Sequence, residues 1–257
     1  MANRSSRHAW LRALGRDDPP AEVTLATGTY RHVQTFKHDF FAATAVYEGD
    51  HGKAVLKMGR RVAFFGFPTA WIGRWLTQRE GHMYQRMSGL EGIPAWLGFD
   101  GPWSLAHAFV EGAPLSRRAE VNDEFFPRLS ALIGEIHARG AAYVDLEKPE
   151  NILQTADGRP CLIDFQISVY FNPDGGGKYW LPRRILKTLQ LSDRYHLLKH
   201  WRRMRPDQLT PEQLADSYKA PFWIAGHRLI FRPLTLLRRW ILVRLGERSS
   251  TRVRSPG

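Results

Sequence analysis

Short apolar runs separated by turn residues fill the chain from residue 24 to residue 109. The runs are rich in β-branched and aromatic residues, and a turn from Glu48 to Gly52 separates two of them. Such a pattern predicts antiparallel strands. The predicted strands cover residues 29–36, 41–47, 53–58, 95–99 and 104–109.

Longer segments with a helical repeat of apolar residues lie between and after these strands. Between residues 122 and 139 the apolar positions recur every three or four residues, which buries one face of a helix. Gly140 follows this segment, where a helix stop is expected. We predict further helices at residues 70–87, 183–204 and 234–245, and a short helix around residues 8–14.

A predicted hairpin in the second half of the chain carries polar residues at both of its ends. Two short apolar runs, residues 152–155 and 160–163, flank an Asp157-Gly158 pair that favours a tight antiparallel turn. Asn151 enters the hairpin and Asp164 leaves it. Because a hairpin returns to its starting edge, we expect these two side chains to lie next to each other.

Asp145 completes a set of residues suited to phosphoryl transfer. That reaction needs a carboxylate that orients the attacking hydroxyl, and oxygen ligands that hold Mg²⁺ against the phosphates. Asp145 fits the first role, and Asn151 with Asp164 fits the second. The alternative is a set of ordinary loop residues around a hairpin, since each half of the pattern occurs by chance.

A family resemblance rests on these residues. The segment YVDLEKPENIL followed by LIDFQ resembles the catalytic loop, HRDLxxxN, and the metal-binding DFG of the protein-kinase-like superfamily. Tyr143 and Val144 stand at the His and Arg positions, one extra residue separates Asp145 from Asn151, and Gln166 replaces the glycine. The missing arginine removes the usual receptor for a phosphorylated activation loop. The pattern is most similar to bacterial lipopolysaccharide kinases, which phosphorylate Kdo or heptose, and to RIO-like atypical serine/threonine kinases.

The resemblance implies an α+β, bilobal protein-kinase-like fold that uses ATP and Mg²⁺. Its small lobe is an antiparallel β structure, and its large lobe is mostly helical. We expect an N-terminal arm at residues 1–22 and the small lobe at residues 23–110. The large lobe with basic C-terminal helices then covers residues 111–248, and residues 249–257 form a disordered tail.

Lys57 resembles the lysine that contacts the α and β phosphates of ATP, because it ends the strand segment Ala-Val-Leu-Lys. A lysine inside an apolar strand is costly to bury without an acidic partner. Glu80, on the predicted helix at residues 70–87, is the expected partner. The alternatives are an edge-strand lysine that blunts aggregation and a solvated glutamate.

The loop expected to cover the phosphates contains no glycine. It reads Lys37-His38-Asp39-Phe40, so its backbone approaches phosphate less readily than a glycine-rich loop would. Lys37 or His38 is expected to supply a side-chain contact instead. The alternative is that both are routine surface residues.

The resemblance places three further groups around the site. Adenine is expected to lie against the backbone of the hinge that joins the lobes, and Lys148 is expected to contact the transferred phosphate. For Asp193 on the predicted basic helix two interpretations stay open: it anchors the catalytic loop from below, or, more simply, it is exposed and salt-bridged. The hinge residues are Ala108, Phe109 and Val110.

The net charge of +12 is concentrated at one end of the chain. Residues 183–257 hold 17 Lys and Arg against 5 Asp and Glu, so they account for the whole excess. Such a region attracts anionic partners, namely a membrane surface, lipopolysaccharide phosphates or nucleic acid. No nucleic-acid recognition motif accompanies the charge, and a merely solvated basic face is the simplest alternative. The helix at residues 234–245 has apolar and arginine positions that suit either an anionic membrane surface or packing against the large lobe.

Cys161 is the single cysteine, so no internal disulfide forms. The sequence shows neither a signal peptide nor a run of apolar residues long enough to span a bilayer. We therefore expect a cytoplasmic protein, peripheral at the inner face of the cytoplasmic membrane.

The resulting functional hypothesis is an ATP-dependent kinase that phosphorylates a hydroxyl of a lipopolysaccharide core sugar. A short segment after Asp164 without an Ala-Pro-Glu closing motif favours a small-molecule or glycan acceptor over a peptide. Two alternatives stay open. One is a RIO-like serine/threonine protein kinase, and the other is a catalytically weak pseudokinase that acts as a scaffold at the membrane.

Overall fold

A computed structural model describes residues 9–63, 69–116, 118–172 and 180–219. Within these ranges the protein is a mixed α/β structure in which a curled antiparallel sheet of six strands precedes a region richer in helices. The antiparallel sheet and the mixed class are as the sequence predicted. The predicted helix at residues 234–245 and the predicted tail at residues 249–257 lie outside the described residues.

The large sheet has the strand order β1-β2-β3-β4-β6-β5, with every neighbouring pair antiparallel. All five predicted strands are present, with ends that differ by a few residues, and β1 is a strand that the sequence pattern did not predict. The strands are β1 (Glu22–Leu25), β2 (Gly28–His38), β3 (Ala42–Gly49), β4 (Gly52–Gly59), β5 (Trp96–Phe99) and β6 (Ser104–Ala108).

The register of the sheet separates its two faces. Lys37 pairs with Thr44, Thr44 with Lys57, and Lys57 with Leu105, so these four side chains share one face. The opposite face is apolar and buried against the N-terminal part of the chain. Its core contains Leu14, Val23, Leu25, Tyr30, Ala43, Ala45, Tyr47, Ala54, Leu56, Met58 and Ala106.

The segment that precedes the sheet is packed against it rather than extended as a free arm. It forms a 3-10 helix at Ala9–Leu11, and Leu14 is buried in the core. The Ala13 N–H donates to the Asp39 carbonyl at 2.8 Å, and the Arg61 N–H donates to the Ala13 carbonyl at 2.9 Å. Backbone hydrogen bonds on both sides of Ala13 therefore hold this segment beside the sheet.

The first long helix, α1 (Ala70–Arg86), lies across the sheet at close range. Two glycines permit this approach. A Cβ on Gly73 would collide with the Arg60 backbone, and one on Gly81 would collide with the Phe99 ring. The buried face of the helix includes Glu80 and Tyr84. The close packing therefore delivers a glutamate to the face of the sheet that carries Lys57.

In its described part, the helical region contains three further helices and two small sheets around a second core. Gly140, with a φ of 78°, ends the first of these helices. The helices are α2 (Phe125–Ala138), α3 (Trp180–Met204) and α4 (Pro211–Asp216). One small sheet joins β7 (Gly112–Pro114), β9 (Ile152–Thr155) and β10 (Pro160–Leu162), and the other joins β8 (Ala141–Ala142) to β11 (Val169–Tyr170). The core includes Phe125, Phe126, Leu129, Ile133, Ile136, Tyr143, Leu146, Phe165, Leu197 and Trp201.

A pair of glycine substitutions tests the packing of α1. Gly73→Ala is expected to destabilise the protein by about 1–3 kcal/mol, because the added methyl group meets backbone atoms that cannot rotate away. Gly134→Ala on α2 is the matched control, since a Cβ there meets nothing within 4 Å. It should stabilise the protein by up to about 1 kcal/mol through helix propensity. Urea unfolding measures both, and equal effects of the two variants would contradict this account of α1.

Candidate active site

The ammonium group of Lys57 joins two carboxylates that are far away in sequence. Its Nζ lies 2.7 Å from Glu80 Oε2 on α1 and 2.8 Å from Asp164 Oδ1, which follows β10. The Glu80 side chain is 2% exposed and the Lys57 side chain 15%, whereas the Asp164 side chain is 35% exposed. The lysine is therefore held from the interior by one carboxylate and faces a second that is open to a ligand.

The charges of this group depend on burial and on mutual attraction. Burial lowers the pKa of Lys57, but Glu80 and Asp164 outweigh it and raise the pKa above the ordinary value. Burial likewise raises the pKa of Asp164, but Lys57 reverses this and the net pKa is lowered. At Glu80, burial dominates and raises the pKa to about 7 against the pull of Lys57. Lys57 and Asp164 thus face each other as ions.

Asp145 lies in a second group of polar side chains. Its Oδ2 accepts hydrogen bonds from Lys148 Nζ at 2.6 Å and from Asn151 Nδ2 at 2.9 Å. Burial raises the pKa of Asp145, although Lys148 opposes the shift. A carboxylate with a raised pKa accepts a proton more readily. The surroundings of Asp145 therefore suit a carboxylate that orients and deprotonates a hydroxyl.

The hairpin brings the two groups together as its sequence predicted. A 3-10 helix at Pro149–Asn151 leads into β9, and Ile152 pairs with Leu162 of β10. The Ile163 N–H donates to the Asn151 carbonyl at 3.0 Å, so Asp164 leaves the hairpin beside the residue that enters it. The predicted pair of oxygen ligands is thereby adjacent.

Asn151 and Asp164 would provide two oxygen ligands to a metal ion. Among the residues that the structure describes, no group of three or more His, Cys, Asp or Glu side chains is arranged to hold a metal ion. Mg²⁺ commonly takes one or two carboxylates and completes its six ligands with water and substrate phosphates. One carboxylate and one amide oxygen fit that mode of binding, in which the metal arrives with a nucleotide.

Two residues of the site have unusual backbone conformations. Val144 has φ 72° and Asp164 has φ 64°, and they are the non-glycine residues with positive φ in the described part of the chain. This conformation is costly for a β-branched residue such as valine. Backbone strain of this kind is typical of functional sites, where the surrounding structure holds it in place.

Asp193 of α3 provides the support beneath the strained loop. Its carboxylate is fully buried and accepts the backbone N–H groups of Tyr143 and Val144, each at 2.8 Å. His137 Nε2 donates to the same carboxylate at 3.0 Å. Of the two interpretations of Asp193, anchoring of the loop from below is the one observed, and the expectation of an exposed aspartate was wrong. The sequence misled because Asp193 lies among basic residues in a helix whose buried face is not evident from the pattern.

Tyr143 connects the Asp145 loop to the Asp164 loop and is a residue whose role the sequence did not indicate. Its hydroxyl donates to the Ile163 carbonyl, and its ring meets the Phe165 ring edge to face at 5.1 Å. Phe165 in turn lies 5.0 Å from the Tyr84 ring of α1. A chain of buried aromatic rings thus joins both candidate loops to the helix that carries Glu80.

The two candidates in the glycine-free loop lie on different faces of the sheet. Lys37 shares the face of Lys57, and its 68% exposed side chain pairs with Asp39 at 2.7 Å. His38 contacts the Arg12 guanidinium and accepts the Leu14 N–H at 3.2 Å. Burial, aided by Arg12, lowers the pKa of His38 to about 4. Both ring nitrogens of His38 thus have partners in the N-terminal segment, in contrast to the predicted contact with phosphate. Lys37 stays a candidate for that contact.

The hinge backbone is partly occupied. The Ala108 N–H donates to the Ala95 carbonyl at 2.8 Å, and the Phe109 N–H donates to the Lys53 carbonyl at 2.9 Å. These two N–H groups therefore have partners within the chain, so a ligand at the predicted hinge would use other backbone groups. The Phe109 ring lies 6.2 Å from the Phe36 ring of β2, which places an aromatic pair between the hinge and the β2 strand.

Two cavities lie near these elements. The larger, about 430 Å³, is lined by Val110 of the hinge and by Cys161 of β10, but by none of the charged candidates. The smaller, about 160 Å³, lies beside the Asp145 loop and is lined by Leu115, Ser116, Glu147, Pro149, Lys199, His200, Arg203 and Met204. The charged candidates do not line this cavity either, but Glu147 and Pro149 place it beside the loop that carries Asp145.

Loss of the Asp193 carboxylate is expected to destabilise the loop that carries Asp145. Asp193→Ala leaves two buried backbone N–H groups without an acceptor, which should cost about 3 kcal/mol in the free energy of unfolding. Asp216→Ala is the matched control, because Asp216 is 62% exposed and pairs with Lys219. That change should stay within about 0.5 kcal/mol. Urea unfolding distinguishes them, and a comparable loss in both variants would refute the supporting role.

His107 is expected to make the fold sensitive to acid. It is buried against the Tyr84 ring at 4.9 Å, and burial lowers its pKa to about 4. The unfolded chain, with an ordinary pKa of 6.5, therefore binds a proton that the folded chain does not. This contribution is complete above pH 6.5 and is lost as the pH falls towards 4, by up to about 3 kcal/mol.

The measurement is the free energy of unfolding as a function of pH. His107→Phe keeps an aromatic ring against Tyr84 and should remove this part of the pH dependence. The exposed His51 serves as control through His51→Phe. Identical pH profiles for the wild type and His107→Phe would show that His107 does not titrate in this way.

Comparisons with known proteins do not assign this arrangement to a family. No protein-family model matches the chain, and no curated protein is significantly similar to it. Among the described residues, no helix is both long enough and apolar enough to cross a membrane. What the site does has therefore to be inferred from its own geometry and chemistry.

Proposed function

We propose that this protein is a phosphotransferase with a protein-kinase-like fold, which transfers the γ-phosphoryl group of ATP to an acceptor hydroxyl with the help of Mg²⁺. The observation that carries the proposal is the shared ion pair of Lys57. Its partners Glu80 and Asp164 stand 23 and 107 residues away along the chain. Asn151 donates a hydrogen bond to Asp145 at the end of the hairpin from which Asp164 leaves. Phosphoryl transfer calls for this combination of a held cation, metal ligands and a carboxylate.

Each residue has a role that follows from its contacts. Glu80 fixes the position of Lys57, whose ammonium group binds the α and β phosphates. Asp164 and Asn151 would be the protein's two oxygen ligands to the metal ion. The ion, when bound, would supply positive charge that offsets the charge developing on the phosphates. Lys37, on the same face of the sheet as Lys57, provides a side-chain contact in a loop that has no glycine.

Asp145 orients the acceptor hydroxyl and takes its proton as the oxygen attacks phosphorus. Its raised pKa favours proton uptake. Lys148, which donates to Asp145 at 2.6 Å, is free to turn towards the transferred phosphate because its side chain is 52% exposed. In the hinge, the donor to adenine is expected from Val110, since the N–H groups of Ala108 and Phe109 have other partners.

A kinase-like arrangement of two lobes is part of the proposal. In this view residues 23–110, with the six-stranded sheet and α1, form the small lobe, and residues 111–248 form the large one. The sheet has a hydrophobic core of its own, which supports the division, and a second core joins Tyr84 of α1 and Leu105 of β6 to the helical region. Lys57 and Glu80 then belong to one lobe, and Asp145, Asn151 and Asp164 to the other.

The acceptor is proposed to be an anionic glycan, of which a lipopolysaccharide core sugar is the leading case. The smaller cavity supports this choice, because Lys199 and Arg203 line it next to Glu147 and Pro149 of the Asp145 loop. Lys199 contacts Glu147 at 3.4 Å, so an anionic group on the acceptor competes for a cation that already has one partner. A fold resemblance alone would not identify the substrate.

The direct test is transfer of labelled phosphate from ATP in the presence of Mg²⁺ to separate pools of glycolipid, protein and small metabolites. Label is expected in the glycolipid pool. Asp145→Asn should lower the rate by about 100-fold or more, because it removes the proton acceptor. The same variant should still be stabilised by ATP and Mg²⁺ in a thermal-shift assay, since the residues that bind phosphate are intact.

The other outcomes assign the alternatives. Label in protein bands rather than in the glycolipid pool would identify a RIO-like protein kinase. No thermal shift with ATP and Mg²⁺, together with an unchanged phenotype for Asp164→Ala, would identify a scaffold without catalytic function. The assembled charges of the site favour the enzyme, whereas the absence of glycine from the loop at Lys37 is the observation that favours the scaffold.

A further inference from the structure

The outward face of α3 carries an unusual number of large apolar side chains. Trp180 is 65% exposed, Leu181 51%, Ile185 45% and Leu191 43%. Exposed apolar residues are common when they occur singly, but a group of them marks an interaction surface. These four lie within the first twelve residues of one helix, and we refer to them as the α3 outer face.

Helical geometry places these residues on one side of α3. At about 100° per residue, the four positions fall within an arc of about 140° around the helix axis. Asp193, Leu197 and Trp201 are buried on the other side, where they meet the catalytic loop and the helical core. The α3 outer face therefore points away from the protein core.

Basic side chains accompany the apolar ones, and acidic side chains do not. Arg183, Arg184, Lys187 and Arg194 are all exposed. Residues 180–192 contain no Asp or Glu, and the next acidic residue, Asp193, is turned into the core. The surface of this half of α3 is thus both apolar and positively charged.

We propose that the α3 outer face is a contact surface for an anionic lipid bilayer. Tryptophan and isoleucine or leucine side chains enter the boundary between headgroups and acyl chains, while neighbouring arginines and lysines bind the anionic headgroups. Charge complementarity selects this partner over a neutral protein surface. Nucleic acid would use the cations but would leave three exposed aliphatic side chains without a partner.

The membrane contact does not depend on phosphotransfer, but it has a consequence for the proposed site. The helix that presents this face also carries Asp193, which holds the Tyr143 and Val144 backbone beside Asp145. One rigid element thus links the bilayer to the catalytic loop. The loop around Asp145 would then have a fixed position relative to the lipid surface, where it could reach an acceptor that is itself anchored in the bilayer.

The test is co-flotation of the full-length protein with lipid vesicles. One set contains equal parts of phosphatidylglycerol and phosphatidylcholine, and the other contains phosphatidylcholine only. Binding is expected to the first set, weaker binding to the second, and a decrease at raised ionic strength. Two variants address the two components of the surface: Trp180→Ala combined with Leu181→Ala, and Arg183→Gln combined with Arg184→Gln.

Each variant is expected to lower partitioning onto the anionic vesicles by about tenfold or more. The arginine variant loses two cations that bind anionic headgroups. The apolar variant loses two side chains that enter the boundary with the acyl chains. Trp71→Ala is the control for the apolar change, since Trp71 on α1 is 66% exposed. Lys53→Gln on β4 is the control for the charge change, since Lys53 is also exposed. Circular dichroism confirms that all variants are folded.

Wild-type binding by both α3 variants would overturn the proposal and would assign any membrane binding to another part of the chain. Failure of the wild type to bind anionic vesicles would overturn it as well. If the protein instead self-associates, and Trp180→Ala with Leu181→Ala abolishes that association, the face belongs to a second copy of the chain. None of these results depends on phosphate transfer, so the proposed function is tested separately.

Discussion

A lysine ammonium shared between two carboxylates is the interaction on which the arrangement of this protein depends. Lys57 belongs to the sheet, Glu80 to α1 and Asp164 to the hairpin, so one cation fixes three elements relative to each other. Burial of such charges costs desolvation free energy and commonly adds little net stability. The proposed phosphate-binding role would account for this cost, since a lysine held from behind by Glu80 could exchange Asp164 for a ligand.

The second constraint is the support that α3 gives to the loop around Asp145. Val144 occupies a conformation that valine avoids, and it is kept there by the hydrogen bond from its N–H group to Asp193. Tyr143 adds a contact to the Ile163 carbonyl, so the position of Asp145 is tied to that of Asp164. Neither the histidine nor the arginine of the family pattern is needed for this geometry, because backbone groups and a tyrosine make the connections.

The same helix also links the site to its surroundings. The inner side of α3 holds the loop around Asp145, lines the small cavity with Lys199, and packs Trp201 into the core. Its outer side presents tryptophan, aliphatic and arginine side chains to solvent. The basic excess of the chain therefore includes a structured, amphipathic surface in addition to whatever the residues after 219 contribute.

Local sequence determined five strands of the large sheet, the helices α1, α2 and α3, and the hairpin, because the period of apolar positions and the Asp-Gly turn are local properties. It also determined that Asn151 and Asp164 would be neighbours, since a hairpin converts a fixed spacing into adjacency. Only the tertiary structure decided that Asp193 is buried and that His38 contacts the N-terminal segment. It also decided that the N–H groups of Ala108 and Phe109 donate to carbonyl groups elsewhere in the chain. Each of those outcomes depends on which residues from distant parts of the chain provide a hydrogen-bond partner or exclude water, and no local pattern encodes that choice.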